Sequence, residues 1–183
     1  GVDSLARPEG RCDVAPPAVD LVNAPMSNGW GMDAGNGRFQ TAAQAGLPAA
    51  SIPKLKLKWA FGYPSATHAY AQPTVAAGRV YVGSETGLVY AIDAKSGCYH
   101  WAFAADASVR TGIVIGASAF TSGGALIYFG DIRANVYAVD ARTGQLVWRQ
   151  KADNHTMSRI TGTPTLAGGA LYVPISGVGE EAQ

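Results

Sequence analysis

Residues 81–101 read YVGSETGLVYAIDAKSGCYHW, and residues 128–148 read YFGDIRANVYAVDARTGQLVW. The two stretches begin 47 residues apart and end on Trp101 and Trp148, which are separated by the same interval. A repeat of this length is typical of propellers and solenoids, because one unit cannot bury its apolar face without a neighbour. The pair therefore predicts a repeat protein.

The two stretches carry the same turn residues. The shared positions are Ala91, Asp93, Ser96, Gly97 and Trp101 in the first stretch and Ala138, Asp140, Thr143, Gly144 and Trp148 in the second. The aspartate is suited to accept hydrogen bonds from turn amides, and the glycine is suited to a positive φ. The tryptophan follows on the next strand, where its ring can pack against a neighbouring unit. We therefore expect both tryptophans to be largely buried.

Short segments of strand character flank these turns on both sides. The predicted strands are 55–61, two within 72–84, 88–94, 98–104, 112–119, 125–131, 135–141, 145–151, 161–169 and 170–176. Four such strands in a meander form one blade, so the sequence predicts an all-β, incomplete β-propeller of about two and a half four-stranded blades. One or two helical turns are expected within 41–52. The alternative, two chance hairpins, does not explain the shared turn residues.

Two regions divide the chain. Residues 1–27 are rich in Pro, Ala and Gly and show no hydrophobic periodicity, which predicts an extended leader, disordered in part. Residues 28–183 form the propeller region.

The sequence contains two cysteines, Cys12 in the leader and Cys98 in the first repeat. Their spacing leaves two alternatives open, a disulfide in an oxidising compartment or two free thiols.

The composition argues against several functions. The net charge is +1 and 15% of residues are charged, without a block of like charges, which disfavours nucleic-acid binding. The sequence contains no run of about 18 apolar residues, so it predicts no membrane-spanning helix. His68, His100 and His155 are scattered without the spacing of metal ligands, so we interpret them as residues that bind no metal.

The repeated phrase A-x-D-x-x-[ST]-G-x-x-x-W resembles the tryptophan-docking repeat of pyrroloquinoline quinone (PQQ) propeller proteins, which are eight-bladed. Residues 28–40 (NGWGMDAGNGRFQ) and 159–182 (RITGTPTLAGGALYVPISGVGEEA) are similar to stretches of the quinoprotein alcohol dehydrogenases. The sequence of residues 28–64 is similar to that of polyvinyl-alcohol dehydrogenases and related periplasmic quinoproteins. The resemblance covers residues 28–183, which would be the N-terminal part of such a propeller.

This resemblance implies a periplasmic oxidoreductase that uses PQQ and Ca²⁺ to oxidise an alcohol, a polymeric one included, and passes electrons to cytochrome c. Two alternatives remain: a non-enzymatic propeller scaffold that binds other proteins, and a quinoprotein for a sugar or another alcohol. The family's catalytic aspartate has no counterpart among these 183 residues. We therefore expect no turnover from this chain alone.

The resemblance also implies roles for individual residues. Arg110 matches an arginine that pairs with a quinone carboxylate and oxygen, Thr161 a threonine that donates to the quinone, and Ser176 and Gly177 a turn that meets another carboxylate. Glu180 and Glu181 are the candidates for the Ca²⁺ ligand, since a hard cation takes carboxylate oxygens. The structural alternatives are a solvated turn arginine, ordinary strand-end hydroxyls and solvated terminal glutamates.

The sequence departs from the family at two points. Tyr70 stands where many of these dehydrogenases carry a glutamate, and the vicinal cysteine pair of the early blades is absent. Both departures concern the packing and redox tuning of the quinone.

Overall fold

The computed structural model describes residues 10–20, 26–31, 37, 39–121 and 124–177. These residues form mainly short strands. The strands are β1 (Met26–Ser27), β2 (Thr74–Ala76), β3 (Arg79–Gly83), β4 (Leu88–Asp93), β5 (Tyr99–Ala104), β6 (Val114–Ala117), β7 (Ala125–Gly130), β8 (Asn135–Asp140), β9 (Leu146–Lys151), β10 (Ser158–Arg159), β11 (Thr165–Ala167), β12 (Ala170–Tyr172) and β13 (Ser176–Gly177). Helix α1 (Ala42–Ala45) and a 3₁₀ turn (Ala49–Lys54) fall within the predicted helical segment.

The strands form antiparallel meanders. Each of the two blades is a sheet of four strands in chain order, β2-β3-β4-β5 in the first and β6-β7-β8-β9 in the second. Strand β1 adds a fifth strand to the first sheet, beside β2. The third unit consists of the pairs β11-β12 and β10-β13. Two blades and the beginning of a third match the predicted incomplete propeller, so the fold class is confirmed.

The two blades share one apolar core. Tyr81 and Val89 of the first blade belong to the same buried cluster as Ile127, Phe129 and Tyr137 of the second. This shared surface is what one unit of the repeat cannot bury without its neighbour.

Glycines allow the loop between blades to approach each sheet closely. A side chain at Gly83 would overlap Val109, and one at Gly130 would overlap Ile160. Gly83 and Gly130 lie 47 residues apart, at equivalent positions of β3 and β7. The repeat therefore includes a glycine against which a side chain of the following loop packs.

The predicted turn chemistry is confirmed at both sites. The Asp93 carboxylate accepts hydrogen bonds from the backbone N–H groups of Lys95 (3.0 Å) and Ser96 (2.7 Å). Asp140 accepts the equivalent bonds in the second turn. Gly97 and Gly144 have φ values of 81° and 75°, which a side chain would strain.

Tryptophans connect each blade to the turn of the next. The Trp101 ring lies over Gly144, and its Nε1–H donates to the Ala141 carbonyl at 3.3 Å. Trp59 makes the same arrangement one unit earlier, over Gly97, with its Nε1–H donating to the Ala94 carbonyl at 3.1 Å. Trp101 is 6% exposed, as predicted.

Two predictions are wrong. Residues 55–61 are extended but form no strand in the described structure, because no neighbouring backbone there completes a ladder. Trp59 in this segment docks through its ring instead. Trp148 is 39% exposed, and all six residues of β9 are exposed. Its burial would need a turn of a following unit, and the described residues place none against it.

Part of the leader lies across both blades. Cys12 forms a disulfide with Cys98, so the first of the two alternatives is correct. We call residues 10–20 the strap. Along it, the Pro17 carbonyl accepts a bond from Arg79 of the first blade. The Val19 side chain is buried in the shared core.

Tyr90 and Tyr137 occupy equivalent positions in the two blades, and both are buried. The Tyr137 hydroxyl donates to the Asp131 carboxylate (2.7 Å) and accepts from the Asp106 N–H (2.9 Å). The Tyr90 hydroxyl has no partner among the described residues. Equivalent phenols therefore differ in their hydrogen bonding.

Replacing each of these tyrosines with Phe is expected to have different effects. Tyr137→Phe leaves polar partners unpaired and costs about 1–3 kcal/mol, whereas Tyr90→Phe is neutral or stabilising. Burial, then the neighbouring Tyr99 and Tyr63, raise the pKa of Tyr90 to about 12. The Tyr90 phenol ionises near pH 10 in the unfolded chain and only near pH 12 in the folded one. The contribution of the neutral Tyr90 phenol to the free energy of unfolding is therefore complete below about pH 10 and is lost as the pH rises toward 12.

Urea unfolding at pH 7 and pH 11.5 measures both effects. Tyr90→Phe should lose less stability between the two pH values than the wild type. Equal destabilisation by the two substitutions at pH 7 would contradict the assignment of the unpaired hydroxyl.

Candidate cofactor site

Arg110 and Thr161 occupy the same position in consecutive units. Each follows the residue that contacts the inter-blade glycine: Val109 against Gly83, and Ile160 against Gly130. The Val109 N–H donates to the Ser84 carbonyl at 3.0 Å, and the Ile160 N–H makes the equivalent bond to Asp131 at 3.2 Å. Since residues 84 and 131 are also repeat equivalents, both loops present the next side chain at the same end of their units.

Tyr70 extends this alignment to the first unit. Thr74 pairs with Tyr81 and Val114 pairs with Tyr128, and Tyr81 and Tyr128 are equivalent positions of the repeat. Tyr70 precedes Thr74 by the same four residues by which Arg110 precedes Val114. The Arg110 Cζ atom lies 4.6 Å from the centre of the Tyr70 ring, so the two equivalent side chains contact each other.

Ser176 and Gly177 lie beside the strand that leads to Thr161. Strand β13 pairs with β10 in the register Arg159–Ser176 and Ser158–Gly177. The Arg159 side chain donates to the Ile132 carbonyl at 3.0 Å, which attaches this pair of strands to the second blade. Thr161, Ser176 and Gly177 are exposed and therefore open to a ligand.

The Arg110 guanidinium is half-buried and incompletely paired. Its Nε atom is buried without a hydrogen-bond partner among the described residues. Those residues also place no carboxylate within salt-bridge distance of Arg110. A buried donor without an acceptor carries a desolvation cost, and a ligand oxygen would remove it.

The arrangement fits an anionic, oxygen-rich ligand. Guanidinium presents planar donors that bind carboxylates through two bonds, and hydroxyls and backbone groups can complete such contacts. The unpaired Arg110 guanidinium therefore suits a planar ligand that carries carboxylates, such as PQQ.

No metal centre is formed by the described residues. They contain no group of three His, Cys, Asp or Glu side chains close enough to hold an ion. Glu180 and Glu181, the candidate Ca²⁺ ligands, lie outside the described residues. In the same described part, no helix is both long and apolar enough to cross a membrane.

Sequence reasoning missed a group that reaches this site. His68 stacks on the Tyr70 ring, with ring centres 5.3 Å apart and planes at 10°. The H-A-Y order is the available signal, because alternate residues of an extended chain point to the same side.

The chain is similar to known proteins over most of its length. Residues 15–180 match the family model described as outer membrane protein assembly factor BamB. A polyvinylalcohol dehydrogenase from Sphingopyxis sp. (strain 113P3) is 42% identical over 171 residues, which are 91% of this chain and 25% of that protein. One from Pseudomonas sp is 39% identical over 173 residues, 94% of this chain and 26% of that protein. The chain spans about a quarter of the length of these relatives.

Solved structures of several proteins share the fold. The quinohemoprotein alcohol dehydrogenase from Comamonas testosteroni has a TM-score of 0.66 and 24% identity, covering 84% of this chain and 23% of that one. A europium-containing methanol dehydrogenase has a TM-score of 0.57 and 22% identity, covering 82% and 28%. BamB from Moraxella catarrhalis has a TM-score of 0.51 and 22% identity, covering 64% and 33%. At these identities the structures show the fold alone. The family model, which matches residues 15–180, shows that the chain belongs to the family of PQQ-type propeller proteins, and the relatives that it matches are polyvinylalcohol dehydrogenases.

Proposed function

We propose that this chain is part of a PQQ- and Ca²⁺-dependent alcohol dehydrogenase of the polyvinyl-alcohol type. The observation that carries the proposal is the buried, unpaired Nε of Arg110, at the end of the units where Thr161 also lies. The 42% identity to a polyvinylalcohol dehydrogenase supports the same assignment and favours a polymeric alcohol as substrate. Because the chain spans about a quarter of that relative, the activity is that of a larger protein.

The described residues would bind and orient the cofactor. Arg110 would donate to a carboxylate and an adjacent oxygen of the quinone, while the hydroxyls of Thr161 and Ser176 and the amide of Gly177 donate to other oxygens. Glu180 or Glu181 would supply the carboxylate for Ca²⁺. When bound, PQQ supplies the two-electron redox chemistry, and the protein contributes position and charge.

The compartment and the electron acceptor complete the proposal. The Cys12–Cys98 disulfide supports an oxidising compartment, which agrees with a periplasmic location. Cytochrome c is proposed as the acceptor on the family resemblance. A protein-binding scaffold is the second candidate, favoured by the family model described as BamB. That candidate predicts no binding of PQQ.

The test is PQQ binding by the full protein that carries this sequence, measured by calorimetry with Ca²⁺ present. Arg110→Ala should weaken binding by about 10- to 150-fold, the equivalent of a charged hydrogen bond of about 1.5–3 kcal/mol. Arg110→Lys should recover only part, because an ammonium cannot form the two-bond fork.

Arg133→Ala is the matched control, since Arg133 is an exposed arginine of the turn between β7 and β8. It should leave PQQ binding unchanged. Wild-type affinity in Arg110→Ala would remove Arg110 from the site. No binding by the wild type would favour the scaffold, and a panel of polymeric alcohols, small alcohols and sugars separates the enzyme alternatives.

A further inference from the structure

The contact between Tyr70 and Arg110 differs from the usual way of holding an arginine. Carboxylates commonly fix a guanidinium, and they occupy its N–H groups in doing so. Here the described residues offer Arg110 the face of an aromatic ring, 4.6 Å from Cζ. A cation above a ring face is attracted by the ring quadrupole, and the N–H edges of the guanidinium remain free.

The Tyr70 ring is itself held in place by His68, which Glu85 supports in turn. His68 stacks on it at 5.3 Å, nearly parallel. The Glu85 carboxylate accepts from the backbone N–H groups of Thr67 (3.1 Å) and His68 (3.0 Å), and it lies 3.4 Å from the His68 ring nitrogen Nδ1. Tyr70 is 49% exposed, so this stack, and not core packing, fixes its orientation.

Glu85 keeps its charge in this arrangement. Hydrogen bonds lower the pKa of the Glu85 carboxyl, and the bond from the Thr67 backbone N–H contributes most to this shift. The loop that carries Tyr70 is thus tied to the turn between β3 and β4, where Glu85 lies. The chain of contacts runs from Glu85 through His68 and Tyr70 to Arg110.

We propose that Tyr70, supported by His68 and Glu85, is a positioning residue that orients the Arg110 guanidinium and leaves its N–H groups free for an anionic, planar ligand. This inference rests on the proposed function for the identity of that ligand. In this arrangement an uncharged ring orients the arginine without neutralising it.

The geometry can be tested without any ligand. With ¹⁵N-arginine labelling, the Arg110 Nε–Hε signal should be shifted by the ring current of Tyr70 in the wild type and in Tyr70→Phe. Tyr70→Leu should abolish that shift, and His68→Ala should reduce it. The same Arg110 signal in the wild type and Tyr70→Leu would overturn the proposed contact.

Ligand binding tests the consequence. With PQQ and Ca²⁺ as the probe, Tyr70→Leu should weaken binding by about 2- to 5-fold, and Tyr70→Phe should not. In the Arg110→Ala background, Tyr70→Leu should have no further effect, because Tyr70 acts through Arg110. Equal losses in both backgrounds would overturn the positioning role. A wild type that binds no PQQ would reject the proposed function alone, since the ring-current measurement still decides the contact.

Discussion

Replacing both Cys12 and Cys98 with Ser is expected to lower the free energy of unfolding by about 4–5 kcal/mol. The two residues are 86 apart, and closing a loop of that length removes much of the entropy of the unfolded chain. The folded chain keeps the other contacts of the strap, so the loss arises mainly in the unfolded state. Urea unfolding of the double variant and of the oxidised wild type measures the difference.

The strap offers a control for this prediction. The Arg142 Nε–H donates to the Pro16 carbonyl at 3.2 Å, and this bond attaches the strap to the second blade. Arg142→Ala should therefore cost only about 0.5–1.5 kcal/mol, the net value of one hydrogen bond. Wild-type stability in the double serine variant would mean that the strap is held by its other contacts and that the closed loop contributes little.

Local chemistry explains how much of the fold could be predicted. The turns at Asp93 and Asp140 combine a carboxylate with a glycine a few residues later, and both act within one turn. Strands β3, β4, β7 and β8 fall within the predicted segments because their residues meet partners that are close in sequence. Such signals are complete within a few neighbouring residues, so sequence reasoning can use them.

The two incorrect predictions, and the cysteine pairing that the sequence left open, concern partners that lie far away in sequence. Residues 55–61 have a strand pattern, but a strand also needs a neighbouring backbone, which the pattern does not contain. The Cys12–Cys98 pairing likewise depends on proximity that spacing does not reveal. Burial of Trp148 depends on a further turn, whereas Trp101 has the turn at Gly144.

The candidate site divides in the same way. Arg110 and Thr161 could be selected by resemblance, and the repeat contacts explain why they lie at equivalent positions. The support from His68 and Glu85 could not be predicted, because it depends on a loop folding back onto the turn after β3. Glu180 and Glu181 remain a prediction.

The largest effect of a single side chain is expected at Trp101. Trp101→Ala should cost about 3–5 kcal/mol, because it deletes a buried aromatic ring and leaves a cavity beside the Gly144 turn. The equivalent Trp148 is 39% exposed, and Trp148→Ala should cost less than about 1 kcal/mol in this chain, as most surface substitutions do. The two variants thus compare one repeat position with and without a docked turn, by urea unfolding.

Two glycines test whether the docked ring is the cause. Gly144 and Gly78 both have a φ of 75°, so Gly→Ala strains the backbone similarly at each, by about 1–2 kcal/mol. A Cβ atom at Gly144 would lie 2.6 Å from the Trp101 ring, whereas one at Gly78 would meet no atom within 4 Å. Gly144→Ala should therefore be the more destabilising of the two, and the excess should disappear when Trp101 is also replaced by Ala. An equal cost for the two glycine variants, or an excess that persists without Trp101, would show that the ring does not hold the blades together.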